Sequence, residues 1–154
     1  MDVETNRHTA GLTLVELMIA ISATAVLVLI VSMILTMTFS SWRNNNAYAE
    51  IRRDISYASS ILSREIRESS FDGLNPVGNT LSVESAVTNK TVVFSQADDA
   101  LIYTSDTDSF PLIPRNLQTF TANKQSDGIE LFLVVANTSF SISVTNQLFV
   151  NTRN

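Results

Sequence analysis

Cysteine is absent from this chain of 154 residues, which excludes a disulfide framework, a thiolate metal site and a thiol nucleophile, and leaves the redox compartment unmarked. Histidine occurs once, as His8 near the start, so imidazole is missing from any catalytic or metal-binding arrangement in the main body. The serines and threonines have no evident activating base, because neither a Gly-x-Ser-x-Gly nor a Ser-x-x-Lys arrangement occurs. No isolated pair of carboxylates lies in an apolar setting. These absences argue against an enzyme, and no cofactor is expected. Positive charge is also scarce: from Asn44 to Asn154 there are eight Lys or Arg against twelve Asp or Glu. That part of the chain therefore lacks a duplex-sized basic footprint, and nucleic acid is not an expected partner. Glycine (4) and proline (3) are few, and none falls between Leu12 and Asp72, so no residue in that stretch enforces a break in a helix.

What the chain does have is one long apolar run. From Leu17 to Leu35 (LMIAISATAVLVLIVSMIL) nothing ionises, and about 19 residues at about 1.5 Å each approach the hydrocarbon thickness of a bilayer. A single carboxylate, Glu16, stands at its threshold. The order of elements is wrong for an ordinary secretory signal, whose small-residue cleavage site follows its apolar core. Here the candidate cleavage residue, Gly11, precedes the run, so removal of residues 1–11 leaves the membrane helix on the mature chain. A carboxylate within a lipid-facing helix costs up to about 2.5–3.5 kcal/mol at the bilayer centre and less near the interface. It therefore either snorkels to the interface or finds a cation. Cleavage after Gly11 supplies one, the new α-amino group of Leu12, four residues away in the same chain or presented by a neighbour.

The segment Gly11-Leu12-Thr13-Leu14-Val15-Glu16-Leu17 followed by an apolar helix resembles the processing signal of type IV pilins and type II secretion pseudopilins. The resemblance implies that a prepilin peptidase cuts between Gly11 and Leu12, that Leu12 becomes the methylated N-terminus, and that Glu16 docks each incoming subunit into a helical filament. Leu12 stands where phenylalanine is commonest in that family, and the leader is only weakly basic, with Arg7 and His8 against Asp2 and Glu4. The helix IRRDISYASSILSREIRESS and the ending Val150-Asn-Thr-Arg153-Asn154 are similar to minor subunits, the W type of type IV pili and the J type of type II secretion. The implied partners are the prepilin peptidase, other pilins or pseudopilins, the inner membrane and, indirectly, an assembly platform and its ATPase. The implied location is a single pass through the inner membrane with an extracytoplasmic C-terminal head, followed by a pilus or pseudopilus. Type IV pili, type II secretion and DNA-uptake machines share this signal. A filament-tip binding or adhesin subunit is the alternative.

The expected architecture is α+β, a long helix on a small, mostly antiparallel sheet, in the manner of pilins. Four segments follow: a leader at 1–11, a transmembrane assembly helix at 12–42, an amphipathic continuation at 43–72 and a β-rich head at 73–154. In the continuation, Tyr48, Ile51, Ile55, Ala58, Leu62 and Ile66 recur at three- and four-residue steps and form the expected buried seam. Arg52, Arg53, Arg64, Glu65, Arg67 and Glu68 lie on or beside the opposite face, with Arg64 and Glu68 spaced to pair. Ser69 to Gly73 reads as the helix end, with Gly73 as its stop. Strands are expected at 80–85, 91–95, 100–104, 118–122, 129–135 and 140–144, with a hairpin turn at Ser126-Asp127-Gly128.

Two further features carry chemistry or contact potential. Asp98, Asp99, Asp106 and Asp108 concentrate acid near one end of the expected sheet and are weak calcium candidates; their spacing fits no defined loop. Phe110-Pro-Leu-Ile-Pro114 reads as an apolar loop covering a sheet edge, with a contact surface as the lesser alternative.

Overall fold

The computed structural model describes residues 13–85 and 90–152. With no Gly or Pro to interrupt it, a single helix, α1, runs from Leu14 to Glu68. The chain divides into two units, residues 1–43 and 44–154. In the first, every described residue is helical apart from Thr13, and all are exposed.

Among the described residues the second unit contains the rest of α1 and eight strands: β1 (Ser69–Val77), β2 (Thr80–Ser85), β3 (Thr91–Ala97), β4 (Ala100–Thr104), β5 (Ser109–Ile113), β6 (Leu117–Lys124), β7 (Gly128–Asn137) and β8 (Ile142–Asn151). All neighbouring strands pair antiparallel. The expected α+β class holds, but the sheet is divided. β1 to β5 form one meander and β6-β7-β8 another.

The helix meets the strands through a narrow apolar stripe. Ala47, Ile51, Ile55, Ala58, Leu62 and Ile66 are buried, each three or four residues from the last, as one face of a 3.6-residue period requires. Tyr48 does not belong to this seam. It is 39% exposed, one step round the helix from Ala47, and the Arg52 guanidinium lies 4.9 Å from its ring centre. The seam joins a core drawn from both sheets, including Leu74, Leu81, Phe94, Leu101, Ile113, Phe120, Ile129, Leu131 and Leu133. Alternation places Val92 and Phe94 of β3, and Ile129, Leu131, Leu133 and Val135 of β7, on the inner faces. A register shift between Leu117 and Thr119 of β6 lets Leu117 and Phe120 both point inward although they are three residues apart.

Three sequence expectations change. The helix stops at Glu68 and passes directly into β1, with Ser69 Oγ donating to the Ile66 carbonyl at 2.7 Å. Gly73 is a strand residue rather than a helix stop; a Cβ there would lie 2.7 Å from the Glu84 carbonyl oxygen of β2. The segment 110–114 is not a loop, since Phe110 to Ile113 belong to the edge strand β5. Phe110 stacks on Tyr103 with ring centres 4.8 Å apart, and Tyr103 meets Phe94 edge-on at 5.5 Å. Leu112 and Ile113 are buried, so most of this apolar segment is already packed. The last strand starts at Ile142, because Thr138 to Phe140 form a 3-10 turn closed by Ser141 at φ 52°. The turn at Ser126-Asp127-Gly128 joins β6 to β7 as expected, with Gln125 N–H donating to the Gly128 carbonyl at 2.9 Å.

Candidate functional site at the start of the apolar helix

The first turn of α1 is closed by its own side chains. Thr13 N–H donates to Glu16 Oε2 at 2.9 Å, Thr13 Oγ1–H donates to the same oxygen at 3.0 Å, and Glu16 N–H donates to Thr13 Oγ1 at 3.3 Å. This is a capping box, in which a threonine and the glutamate three residues on satisfy backbone donors that a helix start leaves without partners. The negative carboxylate also sits at the positive end of the helix dipole. Thr13 was not singled out in the sequence, although Thr-x-x-Glu before an apolar run is itself a signature of a helix start. Glu16 Oε2 takes both Thr13 donors, and no hydrogen bond among the described residues uses Oε1. Gly11 and Leu12, the expected cleavage pair, lie outside the described residues.

Beyond the cap, the helix is apolar all round. From Leu17 to Leu35, thirteen large apolar side chains are each at least 50% exposed. It is one helix long and apolar enough to cross a membrane, and its most apolar window has no buried residue, unlike the core helix of a water-soluble domain. Leaving such a surface in water forfeits on the order of 10–20 kcal/mol of burial, at roughly 1.5–3 kcal/mol for each large apolar side chain fully buried. That is comparable to the whole folding stability of a domain.

The polar residues within this stretch are fitted for an apolar medium. Ser22, Thr24 and Ser32, like Thr36 and Thr38 just beyond Leu35, each donate their hydroxyl to the carbonyl four residues earlier, at 2.7–2.9 Å. A hydroxyl bonded inside its own helix needs no water.

No protein-family model matches the chain, and neither the curated proteins nor the solved structures hold a match to it. The functional reading therefore rests on the chain's own residues.

The four aspartates do not converge. Asp98 and Asp99 occupy the β3–β4 turn, whereas Asp106 and Asp108 lie in the β4–β5 turn at the other end of β4. Five strand residues at about 3.3 Å each hold the two pairs more than about 15 Å apart. The residues already have local roles: Asp98 adopts φ 53° in its turn, Asp99 accepts from Asn116 N–H at 3.3 Å, and Asp108 accepts from Thr107 at 2.9 Å. Among the described residues no group of three or more His, Cys, Asp or Glu is placed to hold a metal ion.

Charges on the head-side part of α1 are tied to near neighbours. Arg64 pairs with Glu65 at 2.8 Å rather than with Glu68, and Arg53 pairs with Asp54 at 3.2 Å. Arg115, just after β5, reaches Glu50 of the helix at 2.5 Å, and this hydrogen bond raises its guanidinium pKa above the ordinary value. Asn146 of β8 donates to Ser59 Oγ at 2.8 Å. The last two contacts tie the helix to the strand region, whereas the first two lie within the helix.

Proposed function

We propose that this chain is a structural subunit, a minor pilin or pseudopilin that is cleaved between Gly11 and Leu12 by a prepilin peptidase, N-methylated at Leu12 and assembled into a type IV pilus, type II secretion pseudopilus or DNA-uptake filament. The observation that carries the proposal is the uncharged, all-round exposed helix from Leu17 to Leu35 with one carboxylate held at its start. Before assembly the helix holds the subunit in the inner membrane with the head on the extracytoplasmic side. Afterwards it exchanges lipid for the helices of neighbouring pilins, a swap between apolar surroundings that changes the free energy little. An assembly platform and its ATPase would supply the work of extraction. Glu16 then meets the cationic N-terminus of Leu12, and the ion pair in a dry interior fixes the register of one subunit against the next.

The role is non-enzymatic and requires no cofactor. The alternative is a filament-tip binding or adhesin subunit; with Leu112 and Ile113 buried and Phe110 stacked on Tyr103, residues 110–114 offer it a smaller apolar surface than their sequence suggests.

The decisive experiment is mass spectrometry of the mature N-terminus in cells with and without an active prepilin peptidase. Cleavage predicts a chain beginning at methylated Leu12 in the first case and at residue 1 in the second. An unprocessed chain in both would reject the proposal.

A further inference from the structure

The two sheets have four outer edges, and three are guarded. Two of the chain's three prolines lie in the first sheet and the third just beyond it: Pro76 lies in edge strand β1, Pro111 in edge strand β5, and Pro114 directly after β5. Proline lacks the N–H that an added strand would need, so both edges resist extension. Lys124 further occupies the Leu74 carbonyl of β1 at 3.1 Å. The β6 edge of the second sheet is closed by the first. Gln96 Oε1 accepts from Phe120 N–H at 2.9 Å, Gln96 Nε2 donates to the Gln118 carbonyl at 3.2 Å, and Leu117 N–H donates to the Asp99 carbonyl at 2.8 Å.

The fourth edge, β8, has none of these devices. Its ten residues, Ile142 to Asn151, include no charge, no proline and no glycine, and among the described residues its only ladder is with β7. A long, uncharged edge of this kind is a template for a further strand.

The sequence of β8 states what that strand should be. One face carries Ile142, Val144, Asn146, Leu148 and Val150, and the other carries Ser143, Thr145, Gln147 and Phe149. The first set is symmetric in polarity about Asn146. If β8 pairs antiparallel with itself, with Asn146 opposite its own copy, Val144 faces Leu148 and Ile142 faces Val150. Every apolar residue of that face then meets an apolar residue, and Asn146, whose amide also donates to Ser59 of α1, lies opposite its copy. On the other face, Thr145 faces Gln147. Ile142, Val144 and Leu148 are only partly buried against the core, so pairing would complete their cover.

We propose that β8 is a docking edge for β8 of a second copy of this chain, joined antiparallel about Asn146 into a continuous six-stranded sheet in the order β6-β7-β8-β8-β7-β6. A two-fold contact of this kind is self-complementary and closed. The inference does not rest on the filament reading, since it uses only head residues.

The test uses the full-length chain in detergent or lipid nanodiscs, with oligomeric state read by analytical ultracentrifugation. Both Thr145 and Gln147 are exposed, and the Gln147 amide donates to Glu130 of β7, a bond that a lysine ammonium can also make, so Thr145→Lys with Gln147→Lys should change the melting temperature little while setting like charges directly opposite across the pair. That variant should dimerise at least tenfold more weakly, and Thr145→Glu with Gln147→Lys, which sets opposite charges face to face, should restore dimers. A second readout uses the absence of native cysteine. Coexpressed Thr145→Cys and Gln147→Cys chains should form a disulfide-linked pair, whereas either chain alone should not, because position 145 comes opposite 147 and neither comes opposite itself. A monomeric wild-type chain, dimers indifferent to both charge variants, or equal cross-linking in all combinations would overturn the proposal.

Discussion

Thr13 and Glu16 are locked to each other, the glutamate oxygen accepting both the backbone and the hydroxyl hydrogen of the threonine at 2.9 and 3.0 Å. The residue read from the sequence as a docking charge is therefore also a helix cap, and the two roles are separable by chemistry. Glu16→Gln keeps an oxygen acceptor for Thr13 but removes the charge. Under the proposed function, its first turn should stay protected from amide hydrogen exchange while filament assembly is lost. Thr13→Ala should do the reverse, weakening the helix start by about 1 kcal/mol with assembly retained. Normal assembly in Glu16→Gln would mean that the carboxylate serves the helix alone.

Gln96 is the clip between the sheets, and its loss leaves Phe120 N–H without its acceptor. A buried donor stranded in this way costs about 1–3 kcal/mol. Gln96→Ala is predicted to lower stability by that amount in urea unfolding, and Gln96→Glu, which keeps the acceptor for Phe120 but not the donor for Gln118, should lose less. An unchanged midpoint in Gln96→Ala would show that the packed inner faces hold the sheets together without it.

Glycine is required at Gly128 by close approach, because a Cβ there would sit 2.3 Å from the Val150 carbonyl oxygen. Gly128→Ala must push β7 from β8 and should destabilise the head by at least about 1–3 kcal/mol. Gly78 has open space around it but φ 58°. Gly78→Ala should cost only the left-handed backbone penalty of about 1–2 kcal/mol. Thermal unfolding of the two variants gives the order, and a larger loss in Gly78→Ala would contradict it.

Asp98 adopts a left-handed turn conformation with φ 53°, which glycine accepts without steric cost. Asp98→Gly is predicted to leave stability unchanged or raise it by up to about 1 kcal/mol, and neither calcium nor a chelator should shift the melting temperature of the wild type. A calcium-dependent rise that disappears in Asp98→Gly would restore these acids as metal ligands.

Leu62 is a fully buried member of the helical seam. Leu62→Ala should cost about 2–5 kcal/mol, whereas Tyr48→Ala, outside the seam, should cost far less. Chemical denaturation of the pair distinguishes the observed stripe from one that includes Tyr48.

Much of this was readable along the chain. The absence of Gly and Pro before Asp72, the apolar run and the three- and four-residue seam specified α1, and alternating residues marked six of the eight strands. β1 and β5 were missed for one reason. Gly73, Pro76 and Pro111 are turn residues by local rules, and they are tolerated in these strands only because each strand lies at an edge or against a close neighbour. The acidic pairs were misjudged in the complementary way, since nearness in sequence placed them together and the intervening strand β4 holds them apart.

The sequence alone determined where the helix begins and runs and which of its faces is apolar, because those properties depend on residues three or four positions apart. Only the tertiary structure decided that the strands split into two sheets, that Gln96 clips them together and that β8 keeps an open edge. Those outcomes depend on hydrogen bonds between residues about twenty or more positions apart, whose pairing no local pattern encodes.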